Sequence, residues 1–281
     1  IRRIIDQQEK NGFYLNINKA HDLLEELKTK SEDLNKDLQT IFPTIYTPRF
    51  HKTTNKPLKD HVDEFNPSSR KQIAERLQKK YDWVPSKTTP TGLPVIDEKV
   101  LKELEYPEAK MIAEYLLYEK RVSQIKSWLK NVKDDSRVHG RVITLGCVTS
   151  RMSHYGPNMA QVPASYSPYG KECRSLWTIE NPDKYCLVGS DASGLELRCF
   201  AHYLENPKFT EQVVDGDIHT YNQNIIGLKD RPTAKTWVYA FIYGAGDAKL
   251  GQIVGGDTVA GLASRKRFIN KVKGMKTLTN N

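Results

Sequence analysis

Four side chains near the C-terminal end of the sequence recur at helical spacing: Arg231, Lys235, Tyr239 and Tyr243 are each four residues apart. A step of four residues in an α-helix overshoots a full turn by only about 40°, so these side chains share one slowly winding face. Two fixed cations at the start of that face suit a phosphate chain, and the rings further along suit a base or a sugar. The spacing therefore predicts a helix face that binds a ligand carrying both groups.

The same spacing has a purely structural explanation. Aromatic residues at helical spacing usually pack into a core, and basic residues in a first turn are usually solvated. Cations at a helix N-terminus also face the positive end of the helix dipole, which is unfavourable unless an anion binds there. The local pattern leaves both interpretations open.

A carboxylate at the end of a predicted strand is the second candidate for chemistry. Residues 185–189 have strand composition, and Asp191 follows them directly before a turn of small residues. A carboxylate held there, together with the backbone carbonyl of Ala192, is suited to Mg²⁺. The alternative is a helix-capping box, because Ser193 and Glu196 have the required spacing and Asp191 would only help the helix to begin. Locally, the cap is the better-supported of the two.

A loop upstream of this turn is rich in hydrogen-bonding side chains. Its polar groups suit phosphates and base edges, and they are Arg151, His154, Asn158 and Gln161. Many such loops are only polar surface. His219, in Gly-Asp-Ile-His-Thr, is similarly ambiguous: it either contacts a phosphate or is an ordinary helix residue.

The elements that must position these residues fall into three regions. Residues 1–134 carry long amphipathic helical patterns and are highly charged. Within them, residues 42–67 are polar and proline-containing, and we predict a loop or short insertion there. Residues 135–205 mix strand-like segments with loops, and residues 206–281 are mainly helical again.

Composition narrows the classes of partner. Lys and Arg number 43 against 34 Asp and Glu, giving a formal net charge of +9, which favours a polyanion such as nucleic acid, although a lysine-rich surface alone gives the same surplus. The four cysteines are too far apart in sequence for a close metal-binding pair. No run of about 18 apolar residues is present, so we predict no membrane span. Because the sequence begins at Ile1 and stops inside a helical pattern at Asn281, we expect a fragment.

Three motifs in this order resemble family A (polymerase I type) DNA polymerases. The segment Asp191-Ala-Ser-Gly-Leu-Glu-Leu-Arg198 resembles motif A of that family, and the helix from Arg231 to Gly244 resembles motif B. The loop residues 149–163 resemble the primer–template segment that precedes motif A. The similarity is strongest to the replicative polymerases of podovirus-type bacteriophages and covers essentially the whole chain.

The resemblance implies an α+β fold, a fragment of a right-hand polymerase with a helical thumb, part of the palm sheet and helical fingers. Residues 1–134 would be the thumb-like region, 135–205 a partial palm with motif A, and 206–281 the fingers with motif B. Motif C, which carries the family's second metal carboxylate, and the rest of the palm would be absent. We therefore expect the chain alone to be inactive.

Site roles also follow from the resemblance. Asp191 and the Ala192 carbonyl would bind the catalytic Mg²⁺, two ions being expected in the complete enzyme. The triphosphate would be held by Arg231, Lys235 and His219, and Lys235 would also protonate the leaving pyrophosphate.

The remaining roles concern selection and template contact. Glu196, packed against Tyr239, would exclude a ribose 2′-hydroxyl, and Tyr243 would guard the template base position. Primer–template contacts would come from the loop residues Arg151, His154, Asn158 and Gln161.

The implied activity is template-directed addition of dNTPs to a primer 3′-hydroxyl in viral DNA replication, in the cytoplasm of an infected bacterium. Expected partners are primer–template DNA, dNTPs and the missing C-terminal polymerase segment, with no membrane. A thioredoxin-type processivity factor is doubtful, because the thumb insertion at residues 42–66 is short. Two alternatives stay open: a non-catalytic nucleic-acid-binding module, and one half of a split polymerase.

Overall fold

The computed structural model describes residues 1–89 and 91–280. Helices dominate the described residues: α1 Arg2–Asn11, α2 Ile17–Ile41, α3 Arg70–Tyr81, α4 Glu98–Glu103, α5 Pro107–Lys130, α6 Gly170–Ser175, α7 Leu195–Leu204, α8 Pro207–Val214, α9 Ile218–Ile226, α10 Arg231–Ile242, α11 Asp247–Ile253, α12 Thr258–Lys271 and α13 Met275–Asn280. A 3₁₀ turn spans Met159–Gln161. Among helices in the described ranges, none combines the length and apolar composition needed to cross a membrane.

Six short strands form three antiparallel pairs within the same residues. They are β1 Phe13–Tyr14, β2 Ile45–Phe50, β3 Pro57–Asp63, β4 Arg137–Val138, β5 Arg141–Ile143 and β6 Ser153–Tyr155. β1 pairs with β4, β2 with β3, and β5 with β6. The predicted α+β class is confirmed, with helices as the larger component.

Two compact units divide the chain, residues 1–187 and residues 188–281. This division differs from the predicted boundaries at 134 and 205. The assignment of residues 1–134, 135–205 and 206–281 to thumb, palm and fingers stays a prediction.

In the first unit, α2 and α5 run antiparallel and bury a shared seam. Leu23 and Leu27 of α2 pack in one cluster with Val122, Ile125 and Trp128 of α5. The other ends of the two helices close a second cluster, which includes the fully buried side chains Leu38, Ile73, Leu77, Leu101 and Ile112. The apolar spacing along each helix therefore produces the predicted amphipathic packing.

The predicted loop at residues 42–67 is wrong, because β2 and β3 form a hairpin there. Tyr46 lies opposite Val62 and Phe50 opposite Pro57, with a register shift between Thr47 and Arg49. Asp63 fixes the base of the hairpin, and the strands beyond it are mostly exposed on both sides.

Side chains of α3 anchor this hairpin. Gln72 donates to the Asp63 carboxylate at 2.9 Å, and the buried Arg76 guanidinium donates to the Asp63 carbonyl at 3.0 Å and to its carboxylate at 3.4 Å. Gln39 of α2 donates to the Phe65 carbonyl at 2.6 Å, and the Phe65 ring packs on Phe42. The hairpin is thus held at its base and open beyond it.

The second unit packs around one fully buried tryptophan of α10. The ring of Trp237 stacks on Phe241 at 5.4 Å, and both meet the edge of Phe268 from α12. The indole N–H donates to the Ser264 hydroxyl at 3.0 Å, which in turn donates to the Gly261 carbonyl. Every polar group of this cluster is therefore satisfied, as a buried indole requires.

Helices α11 and α12 approach closely through two glycines. A Cβ added to Gly251 would meet the Asp257 carbonyl oxygen at 1.9 Å, and one added to Gly261 would meet the Asp247 carbonyl oxygen at 1.9 Å. Beside this contact, Arg265 of α12 donates to the Asp247 carboxylate at 2.6 Å. The two helices form one tightly packed pair.

The predicted strand at residues 185–189 is also wrong. The structure shows irregular backbone there, and its apolar side chains Tyr185, Leu187 and Val188 are exposed. A strand is stable only when a neighbour accepts its backbone hydrogen bonds. None of the strands in the described residues pairs with this segment.

Candidate functional site

Helix α10 presents the predicted face. Asp230 caps the helix by accepting from the Thr233 N–H at 2.8 Å. Arg231 and Lys235 are exposed, Tyr239 is half-buried, and Tyr243 at the C-terminal end is 57% exposed. The core interpretation applies instead to the aromatic residues between them, such as the fully buried Trp237. The two interpretations therefore describe different sides of the same helix.

Arg231 is held by a carboxylate that the sequence analysis did not select. The Asp217 carboxylate accepts from the Arg231 guanidinium at 2.8 Å and from the Thr220 hydroxyl at 2.8 Å. It also caps α9 by accepting from the His219 and Thr220 N–H groups. Arg231 and then Thr220 hold the pKa of the Asp217 carboxyl well below its usual range, and Asp217 raises the pKa of Arg231. The signal in the sequence was Asp217 in the N-cap position, two residues before His219.

His219 lies among positive groups. Burial, followed by the charges of Arg231 and Lys235, lowers the pKa of the His219 imidazole, while Asp217 opposes this shift. The ring is therefore neutral at pH 7. Its Nδ1 atom is buried without a hydrogen-bond partner among the described residues, and its centroid lies 6.2 Å from the Tyr239 ring.

Lys235 completes the cationic group of this surface. It lies one turn after Arg231 on the same helix, it is exposed, and its charge acts on the imidazole of His219. Among the described residues, no ion pair involves the Lys235 ammonium. The structure therefore brings Arg231, Lys235 and His219 together, with Lys235 available to an anion.

Glu196 lies in the first turn of α7, beside the C-terminal end of the α10 face. Its carboxylate accepts from the Tyr243 hydroxyl at 2.6 Å. Burial, followed by the charge of Glu196, raises the pKa of the Tyr239 phenol. The first turn of α7 and the last turns of α10 are thus connected through one carboxylate and two phenols.

The capping box predicted at Ser193 and Glu196 does not form. Gly194 is the N-cap residue of α7, with a φ of 60° and no side-chain cap hydrogen bond. This left-handed backbone conformation favours glycine, and a Cβ there would meet nothing within 4 Å, so the requirement is conformational rather than steric. Glu196 points to Tyr243 instead of back to its own helix start.

Asp191 and Ala192 lie exposed on the irregular segment that precedes α7. Their carboxylate and carbonyl oxygens are of the donor class that Mg²⁺ prefers. Within residues 1–89 and 91–280, however, no three His, Cys, Asp or Glu side chains converge as a metal site. The donors present would supply only one part of a Mg²⁺ site.

The four predicted DNA-contacting residues lie in the first unit. His154 belongs to β6 and pairs in register with Val142, while the exposed Arg151 precedes the strand. Asn158 caps the 3₁₀ turn by accepting from the Ala160 N–H at 3.1 Å, and the Gln161 carbonyl accepts from Gln124 of α5 at 3.0 Å. These residues therefore share one loop and one short hairpin.

A groove between α5 and this loop adds residues that the sequence analysis missed. It encloses about 330 Å³, and its polar lining comprises Lys120, Ser123, Gln124, Ser127, Asn158 and Gln161. The α5 residues recur at helical spacing beside the loop, a signal that becomes visible only once the loop is seen to lie along that helix. One lysine and several amides suit a phosphate backbone.

Helix α1 fixes the strand that supports His154. The Val142 N–H donates to the Glu9 carboxylate at 2.7 Å, and the Val142 carbonyl accepts from Arg2 at 3.2 Å. The edge of β5 that faces away from β6 is therefore satisfied by α1 side chains.

Replacing Asp217 by Asn should reveal its charge through pH. Asn keeps the capping oxygen but loses the ion pair with Arg231. Because the pKa of Asp217 is lowered on folding, its stabilisation is present above its unfolded pKa of about 4 and is lost as the pH falls below it. Urea unfolding at a series of pH values should show Asp217→Asn less stable than the parent at neutral pH, with the difference shrinking steadily as the pH is lowered below about 4.

The control for this comparison is Asp215→Asn, at an exposed position that ends α8. It should show no such convergence. A stability difference for Asp217→Asn that is the same at every pH would contradict the assignment.

Comparison with known proteins bears directly on this arrangement. The fold of nearly the whole chain matches a solved polymerase domain from M. smegmatis in complex with DNA primer-template and dNTP, with a TM-score of 0.77 over 98% of this chain and 47% of that one, at 18% identity. Residues 24–281 match the model of DNA polymerase family A. The chain belongs to that family.

Curated relatives agree. The DNA-directed DNA polymerases of Enterobacteria phage T3 and of Escherichia phage T7 are each 34% identical over 345 residues, covering 98% of this chain. The chain spans 49% of the length of each of these relatives. The resemblance drawn from the motifs is thereby confirmed.

Proposed function

We propose that these residues form part of a template-directed DNA polymerase that adds dNTPs to a primer 3′-hydroxyl during viral DNA replication in an infected bacterium. The observation that supports this most is the grouping of Arg231, Lys235 and His219 at the start of α10, on the same helix face as Tyr239 and Tyr243. A deoxynucleoside triphosphate has its charge at one end and its rings at the other, as this face does.

The triphosphate end is proposed to rest on α10. Lys235 would bind phosphate oxygens directly and donate a proton to the departing pyrophosphate. Arg231 would be shared between the phosphates and Asp217, which keeps its guanidinium oriented before the ligand arrives. Neutral His219 would donate one hydrogen bond from its ring without adding charge.

The reacting end is proposed to lie at Asp191. Its carboxylate and the Ala192 carbonyl would hold Mg²⁺, with a further carboxylate supplied from outside the 281 residues. When bound, two such ions make the primer hydroxyl a better nucleophile and neutralise the leaving phosphate. In the first unit, Arg151, His154, Asn158 and Gln161 would hold the primer–template duplex, together with Lys120 of the adjoining groove.

The alternative is a nucleic-acid-binding module without catalysis. It is favoured by one observation, the absence of a converging metal-ligand group among the described residues. One half of a split polymerase would give the same observation. A thioredoxin-type factor forms no part of either proposal.

Primer extension with dNTPs and Mg²⁺ tests these proposals. It is measured for the 281-residue chain, for the chain joined to the downstream segment of its own gene, and for the two mixed as separate polypeptides. Extension by the joined protein supports the polymerase, and extension by the mixture supports the split form. Salt-sensitive duplex binding with no extension in any arm supports the binding module.

Sugar selection is expected to depend on Glu196. Shortening it to alanine would open space beside Tyr239 and release Tyr243, so the extending protein should incorporate ribonucleotides about a hundredfold better relative to deoxynucleotides. The ratio of kcat/KM for the two triphosphates measures this. Glu196→Gln, which preserves the side-chain volume, should retain most of the discrimination. Equal discrimination by Glu196→Ala and the parent would refute this role.

A further inference from the structure

The β2–β3 hairpin exposes aromatic side chains that its own chain leaves uncovered. Tyr46 and Phe50 lie four residues apart on β2, so they project to the same side of the strand pair. They are 65% and 55% exposed, and Val62, opposite Tyr46, is 48% exposed. A two-stranded hairpin gains no stability from rings left in water, so a bound partner would account for them.

The same segment carries a surplus of positive charge. Residues 46–62 contain four cations, Arg49, Lys52, Lys56 and Lys59, and one carboxylate, Asp60. Within the described residues, no ion pair neutralises any of the four. The turn between the strands is ordered by the His51 ring, whose Nδ1 accepts from the Thr53 and Thr54 N–H groups. Aromatic rings and cations without an ion-pair partner therefore alternate along a hairpin whose turn is held by hydrogen bonds.

We propose that this hairpin binds single-stranded DNA, with bases stacked on Tyr46 and Phe50 and phosphates held by the surrounding lysines and Arg49. Aromatic rings beside a basic track are the usual means of binding single strands without sequence preference, because every base has a face that can stack. A duplex hides those faces, so exposed rings select an unpaired strand. This function is additional to primer extension, and it uses none of the residues assigned to that reaction.

The positive charge of the hairpin also argues against a second copy of the chain as its binding partner. Two hairpins meeting face to face would bring together two surfaces with the same positive surplus, which opposes pairing. The rigid base supports a binding role rather than a linker, because Asp63 is fixed by Gln72 and Arg76 while the residues beyond it stay open.

The test measures binding of a fluorescent oligothymidine to the 281-residue chain, with an excess of unlabelled blunt duplex to occupy any duplex site. Replacing both Tyr46 and Phe50 by alanine should weaken binding roughly tenfold for each ring. The ring-preserving exchange, Tyr46→Phe with Phe50→Tyr, should bind like the parent. Replacing both by leucine keeps the apolar area but removes the rings, and it should bind as poorly as the alanine variant.

Salt dependence gives a second readout. Changing Lys52 and Lys56 to glutamine should reduce the slope of log affinity against log salt by about 0.7 per lysine. Full binding by the alanine variant, or by the leucine variant, would overturn the proposal, the latter indicating an apolar protein contact instead. So would a dimer that the alanine variant dissolves with no change in DNA binding. None of these outcomes depends on whether the chain supports primer extension.

Discussion

Primer extension should fall by at least about a thousandfold when Asp191 is changed to asparagine in the extending protein. Asparagine has nearly the same shape but lacks the negative charge that, in the proposed site, would hold a divalent cation against the primer hydroxyl. Asp191 is exposed on the segment before α7, and Glu196, the other carboxylate of its motif, is hydrogen-bonded to the Tyr243 hydroxyl and is not expected to replace the lost charge. Single-turnover incorporation of one dNTP measures the effect.

Two controls separate chemistry from binding. Asp215→Asn removes an exposed carboxylate from the same unit and should extend primers at the parental rate. Duplex affinity of Asp191→Asn should be unchanged or slightly higher, because a negative charge near the phosphates has been removed. If Asp191→Asn retains a rate within tenfold of the parent, Asp191 does not hold the metal.

Trp237→Ala should destabilise the 188–281 unit by about 3–5 kcal/mol, the usual cost of removing a large buried aromatic side chain. The indole is 0% exposed, stacks on Phe241 and meets Phe268. Its loss leaves a cavity and removes the donor that satisfies Ser264. Urea unfolding followed by circular dichroism measures the change.

Two further variants, Trp237→Phe and Tyr203→Ala, serve as controls for this prediction. Phenylalanine keeps a stacked ring but not the N–H, so it should cost less than alanine does. Tyr203 is 70% exposed, and its removal should change the free energy of unfolding by no more than about 0.5 kcal/mol. A loss below 1 kcal/mol for Trp237→Ala would show that the cluster does not support this unit.

The helices were predictable where the local sequence pattern agrees with the tertiary packing. The apolar spacing of α2 and α5 is a local signal, and so are the capping side chains of Ser69 and Asp97, which accept from N–H groups in the first turns of α3 and α4. At the start of α2 the cap is Asn16, which accepts from the Lys19 N–H. Because a cap is set by one or two backbone angles, a sequence pattern locates a helix end only to within a residue or two.

Strands were harder, because their stability depends on a partner that sequence does not specify. Residues 185–189 have the composition of a strand but lie unpaired in the structure, whereas the polar residues around Pro48 and Pro57 pair in a hairpin. Prolines at such positions normally argue against a strand. The exposed edges of a two-stranded pair tolerate them.

The site residues also divide into those that a local sequence pattern predicts and those that depend on tertiary packing. The spacing of Arg231, Lys235 and Tyr239 was sufficient to predict their common face. The contact between Arg231 and Asp217 joins residues 14 positions apart, and that between Glu196 and Tyr243 joins residues 47 apart. Neither contact has a periodic signature. Only the packing of α7, α9 and α10 defines them.

The glycine contact between α11 and α12 has a consequence for which substitutions the protein tolerates. No side chain can be added to Gly251 or Gly261 without first separating the two helices, since a methyl group would overlap a carbonyl oxygen of the other helix or its N-terminal turn. These positions are therefore expected to be among the least mutable of the unit, although neither touches a proposed ligand. In a mutational scan they would mimic catalytic residues, and measurements of folding would be needed to tell the two kinds apart.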